Sequence, residues 1–134
     1  GYYNDETDRK ILRQANKLAS PGGILIIELG NRDFFVKHFQ PFGIEELEGY
    51  ELHEHRKINL ERSRMENTWR FYKKEGEELK HLATIPLNHR LYSLHELIEL
   101  LGKTDWKYTN SYGNLELQPV TTDTHRMIIV GKKG

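Results

Sequence analysis

The chain has 134 residues, and its 20 Lys and Arg residues balance its 20 Asp and Glu residues, so the formal net charge is zero at pH 7. This length corresponds to one domain with a moderate core. A neutral chain lacks the general electrostatic attraction for nucleic acids or anionic membranes. The absence of cysteine excludes disulfides and thiol catalysis, and no apolar run approaches the ~20 residues that span a bilayer. We therefore expect a soluble, cytoplasmic protein that recognises its partner at a local site.

The first predicted element is an amphipathic helix. Asp5 is placed to cap its N-terminus, and Asp8 adds negative charge to its first turn. Apolar residues recur at helical spacing on one face and basic residues cover the other. The apolar positions are Ile11, Leu12, Ala15, Leu18 and Ala19. This pattern predicts a helix that packs on another element.

A Pro-Gly-Gly turn separates this helix from a predicted strand. Ser20 and the residues Pro21-Gly22-Gly23 end the helix, because proline cannot continue it and glycine tolerates a left-handed turn. Residues 24–27 are then apolar without alternation, which is typical of a strand covered on both faces in an α/β sheet. Residues 1–40 thus form one helix-strand unit.

A short helix is predicted after this strand, from Asn31 to Phe39, and Pro41 ends it. Asn31 and Arg32 follow the carboxyl end of the strand, where α/β sheets bind their ligands. We regard both as candidate substrate-binding residues. The alternative is a capping Asn and a solvated Arg.

Between residues 49 and 90 the pattern changes to a period of two, which predicts antiparallel strands. One set of apolar residues is Tyr50, Leu52, Ile58 and Leu60, and a second set is Met65, Trp69 and Phe71. Residues 74–77, Lys-Glu-Gly-Glu, predict the turn of a hairpin. The sequence therefore predicts a three-stranded meander.

Residues 91–134 are predicted to form a helix followed by two strands. Ser93 and Glu96 make a capping box, the helix continues with a buried apolar face, and Gly102 ends it. Strands are expected at residues 106–112 and 125–132, separated by a polar loop. No linker divides the chain, so we expect a single domain.

The ordered set GYYND, helix, LASPGGILIIELGNRD resembles the middle of class I S-adenosylmethionine-dependent methyltransferases. The C-terminal segment THRMIIVGKK is similar to the last strand of that family. The resemblance implies an α/β fold: the C-terminal half of a doubly wound, Rossmann-like mixed sheet, with an inserted antiparallel β-meander. It also implies that the last, antiparallel strand lies between the fifth and sixth strands. The family's Gly-rich cofactor loop has no counterpart here, so we expect a fragment that is inactive alone.

The same resemblance implies methyl transfer from S-adenosylmethionine, the cofactor, to a small-molecule acceptor. It places the first loop beside the methyl donor, so Tyr2 and Tyr3 are candidate cofactor-binding residues and Asn4 a candidate acceptor-binding residue. The meander resembles a substrate lid, which adds Trp69, Arg70 and His89 as candidate acceptor-binding residues. No catalytic residue is assigned.

Two other functions remain open. The chain could be a non-enzymatic α+β binding or oligomerisation module, or an RNA-directed methyltransferase that uses the basic, aromatic stretch from Arg56 to Arg70. No metal site is predicted, because His53 and His55 secure only two of the three or four ligands that zinc needs. If the family's fourth strand is absent, residues 24–29 present an apolar strand edge, and we expect homo-oligomerisation through this edge or through the meander.

Overall fold

The structure is a computed structural model that describes residues 4–134. The elements in chain order are α1 (Asp5–Leu18), β1 (Ile24–Gly30), α2 (Arg32–Lys37), β2 (Phe42–Leu47), β3 (Tyr50–Asn59), β4 (Arg64–Glu75), β5 (Glu78–Arg90), α3 (Leu94–Lys103), β6 (Trp106–Tyr112) and β7 (Arg126–Lys133). They form two compact units. We call residues 4–38 with 90–134 the discontinuous unit, and residues 39–89 the meander unit.

The discontinuous unit contains a three-stranded sheet in the order β1-β7-β6. β7 is antiparallel to both neighbours, with Ile24 opposite Lys132 in β1 and Trp106 opposite Lys133 in β6. The two outer strands are therefore parallel to each other. This arrangement confirms the predicted strand order, in which the last strand lies between the two strands that precede it in the sheet.

The core of this unit lies between one face of the sheet and the helices α1 and α3. The buried residues are Tyr92, Leu97, Leu101, Trp106, Met127 and Ile129, and Leu12, Ala15, Leu25, Ile27 and Leu29 pack against them. The prediction that β1 is covered on both faces was wrong for the described residues. The opposite face of β1 is open, and Ile24 and Ile26 are 61% and 66% exposed.

The helix ends differ from the predictions by one or two residues. Asn4 rather than Asp5 caps α1, since its side-chain oxygen accepts from the Thr7 amide at 2.8 Å. The turn after α1 does require glycine, because Gly22 has a φ of 79°. Gly102 lies inside α3, which ends at Lys103 because the Thr104 hydroxyl bonds the carbonyls of the last turn. The capping box of Ser93 and Glu96 is confirmed, with both of its hydrogen bonds present.

The meander unit is a four-stranded antiparallel sheet in the order β2-β3-β4-β5. The three predicted strands are present, and their apolar residues share one face: Leu52 lies opposite Phe71, and Ile58 opposite Met65. The prediction missed β2, because Gly43 and two adjacent glutamates interrupt its alternation. Across residues 4–134, no helix is long and apolar enough to cross a membrane.

Candidate functional site

Two of the predicted ligand-binding residues, Tyr2 and Tyr3, lie outside the described residues. Asn4 follows them and is exposed, with its side-chain oxygen used by the α1 cap. The start of α1 is acidic through Asp5, Glu6 and Asp8. These carboxylates stabilise the helix dipole, as the sequence indicated, but two of them also reach residues that are far away in the sequence.

Asn31 stands at the carboxyl end of β1 and is 1% exposed. Its side-chain oxygen accepts from the Asp33 amide at 3.1 Å and so caps α2. Its amide nitrogen donates to the carbonyls of Thr121 and Thr124, at 2.9 and 3.0 Å. Asn31 therefore fixes the loop before β7 against the end of β1. These bonds explain its burial without a ligand, and a role in acceptor binding stays a prediction.

The close approach of α2 to the end of β1 also depends on Gly30. A Cβ at Gly30 would lie 2.8 Å from a ring carbon of Phe35, well inside van der Waals contact. With any other residue at this position, the Phe35 ring would have to move. The strand end is thus shaped by one glycine and one buried amide.

Arg32 is not a solvated side chain. Its guanidinium donates to Glu96 at 2.9 Å, and its backbone amide donates to the Tyr92 carbonyl at 3.1 Å. The same carboxylate of Glu96 accepts from Arg90 through its other oxygen. Glu96 therefore holds two arginines, one from each side of the meander insertion in the sequence.

Arg90 is the centre of the polar network, with a side chain that is 9% exposed. It pairs with Asp5 at 3.0 Å and with Glu96, and its guanidinium lies 4.3 Å from the centre of the Tyr92 ring. The Tyr92 hydroxyl donates to Asp8 at 2.6 Å. We call these residues the Arg90 cluster: Asp5, Asp8, Arg32, Arg90, Tyr92 and Glu96. It ties the start of α1 to the start of α3.

The cluster shifts the pKa values of two of its groups, Glu96 and Tyr92, away from their ordinary values. Burial favours the neutral form of Glu96, but bonds from Arg90 and from the Ser93 amide outweigh it and keep the pKa of Glu96 below its ordinary value. Burial, together with the bond to Asp8, raises the pKa of Tyr92. Around neutral pH Glu96 is therefore ionised and Tyr92 neutral, so these two side chains are suited to positioning rather than to acid-base chemistry.

Two cavities lie beside this cluster, and Tyr92 lines both. One, of about 170 Å³, carries charges of both signs, including Arg9, Glu99 and Lys103. The other, of about 300 Å³, is apolar and lies between α1, β1 and α3. Its walls include Ile11, Leu25 and Leu100. The discontinuous unit thus offers a polar and an apolar recess next to the predicted strand-end site.

The predicted meander residues are not brought together. Trp69 and Arg70 are consecutive in β4, so their side chains point to opposite faces of the sheet. Arg70 lies opposite His53, and Trp69 opposite Glu54. His89 is near the end of β5, where burial, reinforced by the positive charge of Arg64, lowers its pKa. A ligand on one face of the sheet can therefore meet Trp69 or Arg70, but not both.

Sequence reasoning missed Arg90 and Tyr92. They are two residues apart in an extended segment, so they point to the same side, and they directly precede the Ser93 cap. That placement was a usable signal for a polar group at the start of α3. The partners Asp5 and Asp8 were visible only as helix-start acids, because their pairing spans more than 80 residues.

Comparison with solved structures identifies the fold. The chain matches a S-adenosylmethionine-dependent methyltransferase from Clostridium acetobutylicum with a TM-score of 0.77 and 14% identity, covering 97% of the chain and 52% of that protein. It matches the CcbJ methyltransferase from Streptomyces caelestis with a TM-score of 0.80 and 14% identity, covering 98% and 55%. It also matches CalS10, an amino pentose methyltransferase from Micromonospora echinaspora with S-adenosylmethionine bound, with a TM-score of 0.62 and 13% identity, covering 94% and 50%.

The chain therefore has the fold of about half of a S-adenosylmethionine-dependent methyltransferase, and the predicted fold class is confirmed. It spans about half the length of the solved structures that it matches. No family model and no curated protein sequence matches the chain. The likeness is thus one of structure, at a sequence identity that defines the fold alone.

Proposed function

We propose that the chain is part of a S-adenosylmethionine-dependent methyltransferase that acts on a small polar molecule. The observation that carries this proposal is the sheet order β1-β7-β6, with an antiparallel strand between two parallel ones. Almost the whole chain takes part in the structural match, including the meander unit. A binding module that shared only a generic α/β core would not also contain the inserted meander unit.

The described residues fit the cofactor in part. Asn4 is exposed at the start of α1 and follows the predicted cofactor residues Tyr2 and Tyr3 in the sequence. The Gly-rich loop that holds most of the cofactor in the resembling family has no counterpart in the sequence. We therefore expect the chain alone to bind S-adenosylmethionine weakly or not at all, and to be inactive.

Methyl transfer requires few catalytic side chains from the present chain. When bound, the cofactor would supply an electrophilic methyl group, which would pass in line to the acceptor's lone pair as S-adenosylhomocysteine leaves. Positioning supplies most of the rate enhancement, and a base is needed only where the acceptor must lose a proton. The Arg90 cluster suits this chemistry, since its hydrogen bonds fix the two helix starts next to the strand end.

The proposed acceptor is small and polar. One structural neighbour acts on an amino pentose, and the acceptor-binding residues that we propose are Asn4, Asn31, Arg32, Trp69, Arg70 and His89. The balanced net charge favours such a molecule over RNA. Two arginines of the basic stretch also have partners within the meander: Arg56 pairs with Glu54 and Arg64 with Asn88.

We also propose that the chain self-associates through β1 and functions in the cytoplasm. β1 bonds only β7 among the described strands, and its outer face exposes Ile24 and Ile26 beside Val130. An apolar strand at a sheet edge is a template for pairing. Light scattering that finds only monomer at high concentration would contradict self-association.

The proposed function is tested with the complete reading frame. We expect coding sequence upstream of residue 1 to include a strand that ends in a Gly-rich loop. The protein from that reading frame should transfer a labelled methyl group from S-adenosylmethionine to an amino sugar, while the present chain should not. Calorimetry that finds tight cofactor binding to the present chain, or none to the longer protein, would refute the proposal.

A further inference from the structure

Two buried polar atoms of the meander unit have no hydrogen-bond partner among the residues that the structure describes. They are the side-chain oxygen of Asn67 and the indole nitrogen of Trp69. Both residues belong to β4, two positions apart, so their side chains lie on the same face of the sheet. Asn67 as a whole is only 8% exposed. One free acceptor and one free donor therefore lie on the same face of β4.

The orientation of the Asn67 amide is fixed by its neighbours. Its nitrogen donates to one oxygen of Glu54 at 3.1 Å, and Arg56 pairs with the other oxygen. A flipped amide would direct its oxygen at the carboxylate and lose this bond. The oxygen of Asn67 is therefore an acceptor that faces away from Glu54.

The network behind these atoms is neutral overall. Glu54 and Arg56 carry one charge of each sign and lie opposite Trp69 and Asn67 in the neighbouring strand. A charged ligand would find no excess charge to neutralise it. The vacant hydrogen bonds thus call for a neutral molecule with one donor and one acceptor, which adjacent hydroxyl groups of a sugar provide.

A buried polar group left without a partner costs about 1–3 kcal/mol, so a ligand that bonds both atoms recovers a sizeable free energy. We propose that Asn67 and Trp69 form a binding site for a neutral polyhydroxylated molecule of the sugar class. In the proposed methyltransferase, on which this assignment to the acceptor rests, it is where the acceptor's hydroxyl groups bind. Because both atoms are buried, the ligand enters when this face opens, and association is slower than diffusion.

The two tryptophans of the chain give a direct test with an internal reference. The Trp106 indole already donates to the Leu12 carbonyl at 3.0 Å. In a nuclear magnetic resonance titration of the nitrogen-labelled chain with D-xylose, the Trp69 indole signal should shift saturably while the Trp106 signal stays in place. Cyclopentanol, which has a similar size and a single hydroxyl, should shift neither. Trp69→Phe assigns the two signals.

Two variants separate the site from the fold. Asn67→Leu should weaken xylose binding at least about tenfold, since it removes the acceptor. Thr68→Ala, one residue along β4 and on the opposite face, should leave binding unchanged. Should Asn67→Leu lose the backbone spectrum of the folded chain, Trp69→Phe, followed through the β4 amide signals, replaces it with the same expected loss.

The inference fails if xylose moves neither indole up to its solubility limit, if cyclopentanol moves Trp69 equally, or if Asn67→Leu binds xylose unchanged. The first result would mean that only water satisfies these atoms. Because the titration contains no cofactor, its failure leaves methyl transfer untouched. Conversely, xylose binding without methyl transfer by the longer protein would overturn the proposed function alone.

Discussion

Leu101 in the discontinuous unit and Asn67 in the meander unit are both buried, but their surroundings differ in kind. Leu101 is 1% exposed and belongs to an apolar cluster in which helices cover one face of a sheet. Asn67 belongs to a carboxylate-guanidinium-amide network on an all-strand unit that contains no helix. In the first environment, burial of apolar surface is itself stabilising. In the second, a buried polar group is stabilising only when its hydrogen bonds are complete. The meander unit also buries the apolar side chains of Leu52 and Met65, so the two units differ in the polar network that the meander adds to its apolar core.

The largest effect is expected from the apolar core. Leu101→Ala should lower the free energy of unfolding by about 2–5 kcal/mol, because it leaves a cavity in the core of the discontinuous unit. Urea denaturation measures this loss. Leu115→Ala is the matched control, since Leu115 is 88% exposed, and it should change stability by less than about 0.5 kcal/mol. Equal effects of the two variants would argue against a core at this position.

The next effect is expected from the Arg90 cluster. Arg90→Met keeps an unbranched, flexible side chain but removes the cation that Asp5 and Glu96 share, which should cost about 2 kcal/mol. Arg62→Met, in an exposed turn of the meander unit, should be nearly neutral. Denaturant midpoints of both variants measure the difference. A tolerated Arg90→Met would show that the cluster contributes little to stability.

A smaller effect is expected in the response to acid. The pKa of Glu96 is lower in the folded chain than its ordinary value of 4.5, so its stabilisation is complete above that value and is lost as the pH falls through the folded pKa. In Glu96→Gln, the decrease in the free energy of unfolding on acidification should therefore be smaller by at most about 1 kcal/mol. Thermal melting between about pH 6 and pH 3 measures this slope.

Asp123 must be controlled for in this experiment. Hydrogen bonds from Lys37 and His38 also lower the pKa of Asp123, so part of the slope should remain in Glu96→Gln and decrease further in the double variant with Asp123→Asn. If stability depended on pH in Glu96→Gln as it does in the unchanged chain, the lowered pKa of Glu96 would be contradicted.

The smallest effect on stability is expected at the open face of β1. Ile26→Lys changes a side chain that is 66% exposed, so the free energy of unfolding should change by less than about 0.5 kcal/mol. The same change should abolish self-association measured by light scattering, because the added charge opposes edge pairing. Leu115→Lys is the control. Self-association that persists in Ile26→Lys would indicate that the meander, rather than β1, forms the contact.

Local signals in the sequence predicted most of the fold. The capping box of Ser93 and Glu96, the Pro-Gly-Gly turn and the alternation in residues 49–90 each depend on neighbouring residues, and each was confirmed. β2 was missed because a glycine and two adjacent glutamates hide its period. The α1 cap was placed one residue late because Asn4 and Asp5 are equally good caps.

The candidate site could be predicted only in part, because it depends on long-range pairing. Asn31 and Arg32 were proposed as candidates from their place after β1, and their role in binding stays a prediction, but nothing local connects Arg90 with Asp5 or Tyr92 with Asp8. The unpaired atoms of Asn67 and Trp69 are also invisible in the sequence. Such atoms are recognised only when the hydrogen bonds around them are known.

The order β1-β7-β6 also constrains how the chain folds during synthesis. Among the described strands, β1, at residues 24–30, bonds only β7, at residues 126–133, so these two strands cannot pair until the ribosome has made nearly a hundred further residues. The hairpins of the meander join strands that are adjacent in the chain and can form earlier. Among the described strands, β1 thus lacks its partner until β7 is made, and exposed apolar strands are prone to aggregate.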